Sequence, residues 1–143
     1  MTSTSPTERS KCVQPTDAGS HVYHPDRLQV VQPCIAASGT IDFERHEADG
    51  DYHIGLKLDP QYAGLVNSCN ATCLGGAERG DLVLEPVCEL PVTQADAVAA
   101  CTGYHNPLIV PPVGSHVTVT GPHVLDLDHG WLEIHPVASL VVM

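Results

Sequence analysis

Alternation of apolar and polar residues over two neighbouring stretches is the feature that most constrains the fold. In residues 34–43 every second side chain is apolar or is glycine, and residues 52–58 repeat the pattern after the polar loop 44–51. A period of two places alternate side chains on opposite faces of a β-strand. The pattern therefore predicts a hairpin of two strands, with His53 and Lys57 on the face away from the core.

The remaining signals predict three more strands and one helix. Strands are expected at residues 81–86, 115–120 and 131–142, and a helix over residues 93–101 that ends before Gly103. The order strand, strand, strand, helix, strand, strand is that of an OB-fold. The sequence thus predicts a mainly β protein, a five-stranded OB-like Greek-key barrel with one short helix between strands 3 and 4. A split β-sandwich is the alternative architecture.

The N-terminal segment has a different character from the rest of the chain. Residues 1–27 are rich in Ser, Thr, Pro and charged residues and show little periodicity, which favours an extended or disordered arm. Residues 28–143 are then the OB-like domain, because 143 residues suit a single domain. The first residues lack the apolar core of a signal peptide, so none is expected in the given sequence.

The charge balance restricts the partners that the chain could bind. Six Lys and Arg residues oppose 17 Asp and Glu residues, which gives a formal net charge of −11 at pH 7. Such a surface repels phosphate groups, so nucleic acid and anionic membranes are disfavoured. A cation or a basic protein surface is the electrostatically favoured ligand, and self-association is a further option.

The six cysteines predict disulfide bonds. Their number is even and no Cys-x-x-Cys pair is present, so disulfides in an extracytoplasmic or secreted protein are favoured over a zinc ribbon or a redox centre. Cys88 and Cys101 bracket the predicted helix and are the first expected pair, and Cys12 could attach the arm to the body. A cytoplasmic protein with reduced, buried thiols is the alternative. The candidates are Cys12, Cys34, Cys69, Cys73, Cys88 and Cys101.

Two acidic loops that contain histidine predict the position of a site. The loop between the first two strands carries His46, Glu47, Asp49 and Asp51, and the turn before the last strand, residues 126–129, carries two aspartates and a histidine. In an OB-fold the loops that join strands 1 and 2 and strands 4 and 5 lie near each other, and binding commonly uses that region. The two loops are therefore expected to converge at one barrel mouth.

The stretch DLDHGWLEIHP, residues 126–136, supplies the candidate metal ligands. Glu133 and His135 are two positions apart on a strand and share a face, and with His129 from the turn they could chelate zinc or a similar transition metal. The simpler reading is a well-formed turn that leads into a strand. Alternative or additional ligands, whose oxygens would suit Ca²⁺ instead, are Asp49, Asp51, His53, Asp126 and Asp128.

The sequence favours binding over catalysis. No nucleophile elbow, phosphate-binding loop or dinucleotide fingerprint is present. The first functional expectation is therefore a non-enzymatic binding or assembly module that is extracytoplasmic and stabilised by disulfides. The alternative is a metal-dependent hydrolase, similar to a phosphodiesterase or nuclease, with its site at the barrel mouth.

A family resemblance rests on two segments, GTIDFERHEADGDYHIGL at residues 39–56 and VTVTGPHVLDLDHGWLEIHPV at residues 117–137. Together they resemble a group of uncharacterised bacterial proteins with an Asp-Gly-Asp-x-His segment and a C-terminal Asp-x-x-His-Gly-Trp-x-Glu-Ile-His-Pro-Val element. The similarity covers most of residues 34–140. It implies an OB-like barrel and brings no activity with it. It also implies that one unit is formed by Asp49, Asp51, His53, Asp126, His129, Glu133 and His135.

Overall fold

The computed structural model describes Cys12 and residues 18–143, and over these residues the protein is mainly β. The strands are β1 (Leu28–His46), β2 (Tyr52–Leu58), β3 (Leu82–Leu84), β4 (His116–Asp126), β5 (Leu132–Ile134) and β6 (Ser139–Val142). The α-helices are α1 (Ser68–Thr72) and α2 (Val98–Cys101). Short 3-10 helices span Ala18–His21, Pro25–Arg27, Pro60–Leu65, Cys73–Gly76 and Ala95–Ala97. The expected mainly β class is therefore confirmed.

The strands form one mixed sheet that closes in a ring. Their order is β1-β2-β3-β5-β4-β6, and β1 also pairs with β4. The β3–β5 pair is parallel and the other pairs are antiparallel. The 19-residue β1 makes closure possible, because its first part pairs with β4 and its last part with β2. The OB-like topology stays a prediction.

The last predicted strand is divided in the structure. The segment expected as one strand over residues 131–142 contains β5 and β6, separated by residues 135–138. Pro136 lies in this interval and has no backbone N–H to donate to a ladder. The sheet consequently has six strands among the described residues, where five were expected.

The apolar core lies on one face of the sheet. Ile54, Leu56, Leu84 and Ile134 have no measurable exposure, and Ile41 is 1% exposed. They belong to one cluster with residues of β4 and β6. Alternation along β2 and β3 turns the side chains between these positions to the opposite face. That opposite face holds the candidate site.

All six cysteines form disulfides. The pairs are Cys12–Cys34, Cys69–Cys73 and Cys88–Cys101. The expected pairing of Cys88 with Cys101 is confirmed, and Cys12 is attached to β1 through Cys34. The remaining bond links Cys69, near the start of α1, to Cys73, the residue that follows the helix.

The helical segment before β4 and the end of the N-terminal segment pack together. The predicted helix is present as Ala95–Ala97 and α2. Residues 18–27 form two 3-10 turns on the body, where Ala18 packs with Val87 and Cys88. Residues 1–11 and 13–17 of the predicted arm lie outside the described residues. Within the described part of the chain, no helix is both long enough and apolar enough to cross a membrane.

Candidate functional site

The site begins with a layer of buried polar side chains on the face of the sheet opposite the core. In the antiparallel β2–β3 register Ile54 pairs with Leu84, so His53 lies opposite Glu85, the residue that follows β3. In the parallel β3–β5 register Val83 pairs with Glu133, so Glu133 shares this face. His53, Glu85 and Glu133 are 5%, 7% and 1% exposed. The pleat of three strands thus gathers charged groups in one place.

These side chains form the wall of a cavity of about 490 Å³. Its other walls come from the β1–β2 loop, from the turn after β4, from the 3-10 segment Cys73–Gly76 with the residues that follow it, and from Tyr23, His24, Arg27 and Gln94. The two acidic loops of the sequence therefore meet at the same opening. The carboxylates that line the cavity are Glu47, Asp49, Glu78, Glu85, Asp126, Asp128 and Glu133.

His53 is the centre of the cluster. Its Nδ1 lies 2.9 Å from Glu85 Oε1 and 3.3 Å from Glu47 Oε1. Its Nε2 is hydrogen-bonded to Oε1 of Glu78, whose side chain is fully buried. Arg45 Nη1 approaches the same Glu78 oxygen at 3.5 Å. Both ring nitrogens of one imidazole therefore face carboxylates.

The three carboxylates control the charge of this histidine. Burial alone would lower the pKa of His53, but hydrogen bonds to Glu47, Glu78 and Glu85 raise it to about 12. The hydrogen bond with His53 lowers the pKa of Glu47. Burial holds the pKa of Glu85 well above its usual value, although the bond to His53 opposes this. His53 is therefore an imidazolium ion among carboxyl groups.

A second chain of polar contacts runs from the cavity wall into the interior. Trp131 Nε1 donates to Glu133 Oε2 at 2.7 Å, and Glu133 Oε1 lies 2.9 Å from His135 Nδ1. His135 Nε2 is 4.0 Å from Asp51 Oδ2, and neither atom has a hydrogen-bond partner among the described residues. Burial and the charge of Asp49 raise the pKa of Asp51 to about 8. This chain places Glu133 on the cavity and His135 behind it.

Asp126 organises the turn that forms the other side of the opening. Its Oδ1 accepts a 2.9 Å hydrogen bond from the Asp128 N–H, and its Oδ2 lies 2.8 Å from His129 Nδ1 and 2.9 Å from Arg27 Nη1. Burial opposes ionisation, but the bond to His129 and the charge of Arg27 lower the pKa of Asp126. The His129 ring stacks on Trp131 at 4.4 Å. The turn is consequently a fixed part of the cavity wall.

The structure brings some predicted ligands together and separates others. Glu133 and His135 share a face and are hydrogen-bonded to each other. His129 lies in the turn, where it contacts Asp126 and stacks on the ring of Trp131. Asp51 and His135 are buried behind the wall. The predicted residues that line the cavity are Asp49, His53, Asp126, Asp128, His129 and Glu133.

One group of ligand-type atoms does converge. Among the described residues, the only set of three or more His, Cys, Asp or Glu atoms within 4.8 Å of one another consists of Glu47, His53 and Glu85. Sequence reasoning placed His53 on the face of β2 away from the core; it lies on that face and is buried there, hydrogen-bonded to Glu78 and Glu85. Sequence reasoning missed Glu78 and Glu85, which lie far from the two acidic loops in sequence. The only sequence signal for Glu85 was its position directly after an apolar strand.

Comparisons of the chain with protein-family models, with curated proteins and with solved structures gave no match. The resemblance to a bacterial protein group therefore stays a prediction. The functional conclusion below is drawn from the geometry and charge of the cavity.

Proposed function

We propose that this protein is a non-enzymatic, extracytoplasmic binding module of OB-like topology whose acidic cavity takes a positively charged ligand. The mainly β fold and the three disulfides support a module built for an oxidising compartment. The formal net charge of −11 supports a cationic ligand.

The observation that carries the proposal is the excess of carboxylates around the cavity. Seven line it, against two arginines. Arg27 is already paired with Asp126, and Arg45 with Glu78. Low-dielectric walls lined by charges of one sign concentrate the electric field inside a cleft. A positively charged group that enters this cavity would therefore be attracted by carboxylates that the two arginines of the cavity do not neutralise.

The shape of the cavity also supports a small ligand or an inserted side chain. A volume of about 490 Å³ falls within the roughly 300–1,000 Å³ range of ligand sites. Trp131 and His129 form a flat stacked pair at its wall, and an aromatic face attracts cations. A basic surface of a partner protein, which presents one Lys or Arg side chain, has the required chemistry.

The test measures binding of cationic probes. Titration calorimetry with spermidine, a lysine-rich peptide, ZnCl₂ and CaCl₂ should detect at least one saturable ligand. Asp128→Asn removes a carboxylate from the cavity rim, whereas Asp26→Asn removes an exposed one that does not line the cavity. We expect the first variant to weaken binding several-fold and the second to leave it unchanged. No saturable binding, or equal binding by both variants, would refute the proposal.

A metal-dependent hydrolase is the second candidate function. It is favoured by the convergence of Glu47, His53 and Glu85 at a cavity that is open to solvent, since catalytic metal sites keep one coordination position free. The assay is hydrolysis of an activated phosphodiester by the Zn²⁺-loaded protein. Turnover that His53→Ala abolishes would support catalysis, and its absence in a protein that binds Zn²⁺ would leave binding as the function.

A further inference from the structure

Three ligand atoms of side chains that line the cavity lie close enough together to hold a small metal ion. His53 Nδ1 is 2.9 Å from Glu85 Oε1 and 3.3 Å from Glu47 Oε1, and the three atoms all lie within 4.8 Å of one another. In a tetrahedral zinc site with bonds of about 2.0–2.1 Å, ligand atoms are about 3.3 Å apart. The two distances from His53 Nδ1 are within about 0.4 Å of that value, so side-chain adjustment without a change of backbone can bring the three atoms to that geometry.

The other nitrogen of the imidazole is already committed to a carboxylate. His53 Nε2 is hydrogen-bonded to Glu78 Oε1, and the Glu78 side chain has no exposed surface. Metal-binding histidines almost always donate their second N–H to such a partner, which fixes the tautomer and the ring orientation. Glu78 thus holds the N–H on Nε2 and leaves Nδ1 facing the cavity as the coordinating atom.

A separate observation also points to a group that enters the cavity. Oε2 of Glu78 has no hydrogen-bond partner among the described residues, although the side chain is fully buried and lines the cavity wall. A polar atom left without a partner in such a place opposes folding, and more strongly if it is charged. Three glutamates surround the single imidazole of His53, and one arginine, Arg45, pairs with Glu78. A cation in the cavity would add positive charge beside these carboxylates.

We propose that Glu47, His53 and Glu85 bind a divalent first-row transition metal, with Zn²⁺ as the representative ion and one coordination position open to the cavity. The proposal rests on the proposed function of the cavity as a cation site. One imidazole with two carboxylates matches the ligands of zinc. Ca²⁺ prefers six to eight oxygen ligands, and the imidazole nitrogen counts against it. The metal takes the place of the Nδ1 proton, which is released to solvent.

The three ligands differ in how firmly they are held. His53 and Glu85 lie at adjacent positions of paired strands and are buried. The side chain of Glu47 lies in the β1–β2 loop and is 42% exposed. Glu47 is therefore the ligand that can be changed with the smallest effect on folding, and it provides the test.

The experiment compares metal binding by matched variants of the full chain. After removal of bound metal with a chelator, wild-type protein should bind one equivalent of Zn²⁺ by titration calorimetry and by elemental analysis. Glu47→Gln keeps the size of the side chain and should weaken Zn²⁺ binding by about 10- to 100-fold. Glu89→Gln, whose side chain does not line the cavity, should bind as wild type does. The visible spectrum of the Co²⁺-substituted protein should change in Glu47→Gln and not in Glu89→Gln.

Two outcomes would overturn the inference: less than half an equivalent of bound Zn²⁺, or equal affinity of Glu47→Gln and wild type with both folded by circular dichroism. Failure of the metal site and failure of the cation cavity are distinguishable. If spermidine or the lysine-rich peptide binds and Zn²⁺ does not, only the metal inference falls. If no cationic probe binds, the proposed function falls as well.

Discussion

Removal of the Cys88–Cys101 disulfide should destabilise the protein by about 3 kcal/mol. The bond closes a loop with a sequence separation of 13 residues, and a cross-link of that size removes unfolded-state entropy worth about 3 kcal/mol. The Cys69–Cys73 bond spans a separation of only 4 residues, for which the same relation gives about 2 kcal/mol. The two bonds therefore provide a matched pair in one molecule.

The assay is thermal unfolding of two double variants, Cys88→Ala with Cys101→Ala and Cys69→Ala with Cys73→Ala. Unfolding entropy of about 2.1 cal/mol/K per residue gives about 0.3 kcal/mol/K for 143 residues. The first variant should then lose about 10 °C in Tm and the second about 7 °C. Urea denaturation supplies the free energies of unfolding independently.

The disulfide also supports the site, which gives a second measurement. The β1–β2 loop packs against the disulfide, because a Cβ atom added to Gly50 would lie 3.7 Å from Cys101 Sγ. The Cys88 N–H also donates to Asp51 Oδ1 at 3.2 Å. Loss of the bond should therefore loosen the loop that carries Glu47 and weaken binding of cations. If loss of Cys69–Cys73, which closes the shorter loop, destabilises the protein more than loss of Cys88–Cys101, the loop-length reasoning is wrong for this protein.

Two further changes test the packing and the electrostatics. Gly55→Ala places a methyl group against the Phe43 ring and should cost about 1–3 kcal/mol by urea denaturation, whereas Gly64→Ala enters open space and should cost less than about 1 kcal/mol; similar losses in both would contradict the packing. Burial and a hydrogen bond with Asp42 raise the pKa of Asp81 from 3.8 to about 7. The folded state therefore favours the protonated carboxyl group, and this stabilisation is lost as the pH rises toward 7. Wild type should lose unfolding free energy as the pH rises from about 4 to 7, and an unchanged slope in Asp81→Asn would exclude this group as the source.

Alternation of residue types was enough to find the strands that have one face in the core. β2 has the predicted bounds, 52–58, and the first strand extends on both sides of the predicted stretch 34–43. Because side chains repeat with a period of two, a shift by one residue would turn every core side chain outward. Local pattern therefore fixes such strands and the register of their hairpin well.

The same pattern could not reveal that the second face is also covered. His53 alternates with core residues of β2 and was expected on the face away from the core, and on that face it is only 5% exposed. Its cover comes from Glu78 and Glu85, which are 25 and 32 residues away in sequence. Alternation reports only that two faces differ. Whether the polar face meets water or a second polar layer depends on long-range packing.

The sequence contained a signal against one long final strand. Pro136 lies within the predicted stretch 131–142, and a proline in a strand removes a ladder donor. In the structure β5 ends two residues before it and β6 begins three residues after it. Pro136 thus explains why the predicted last strand is divided in two and the sheet has a sixth strand.

The convergence of the two acidic loops was expected from the OB-like order of the strands, whereas the ligand set was not. Both loops line the cavity, but pairing of β1 with β4 does not explain this, because the two strands are antiparallel and Asp126 lies opposite Leu28 at the start of β1. The choice of Glu47, His53 and Glu85 over His129 depends on the β2–β3 register and on the direction of individual side chains. The predicted triad placed all its ligands in one segment, and the converging atoms come from three.

The buried charges also connect binding with folding. His53 and Arg45 are the cationic side chains beside the glutamates of the site, and Glu78 and Glu85 are held out of water. Burial of carboxylates opposes folding, so a cation that binds only the folded state would recover part of that free energy. At 100 times its Kd such a ligand adds about 2.7 kcal/mol. This is close to the effect expected for the Cys88–Cys101 bond, so occupation of the cavity by such a ligand would stabilise the fold about as much as that disulfide does.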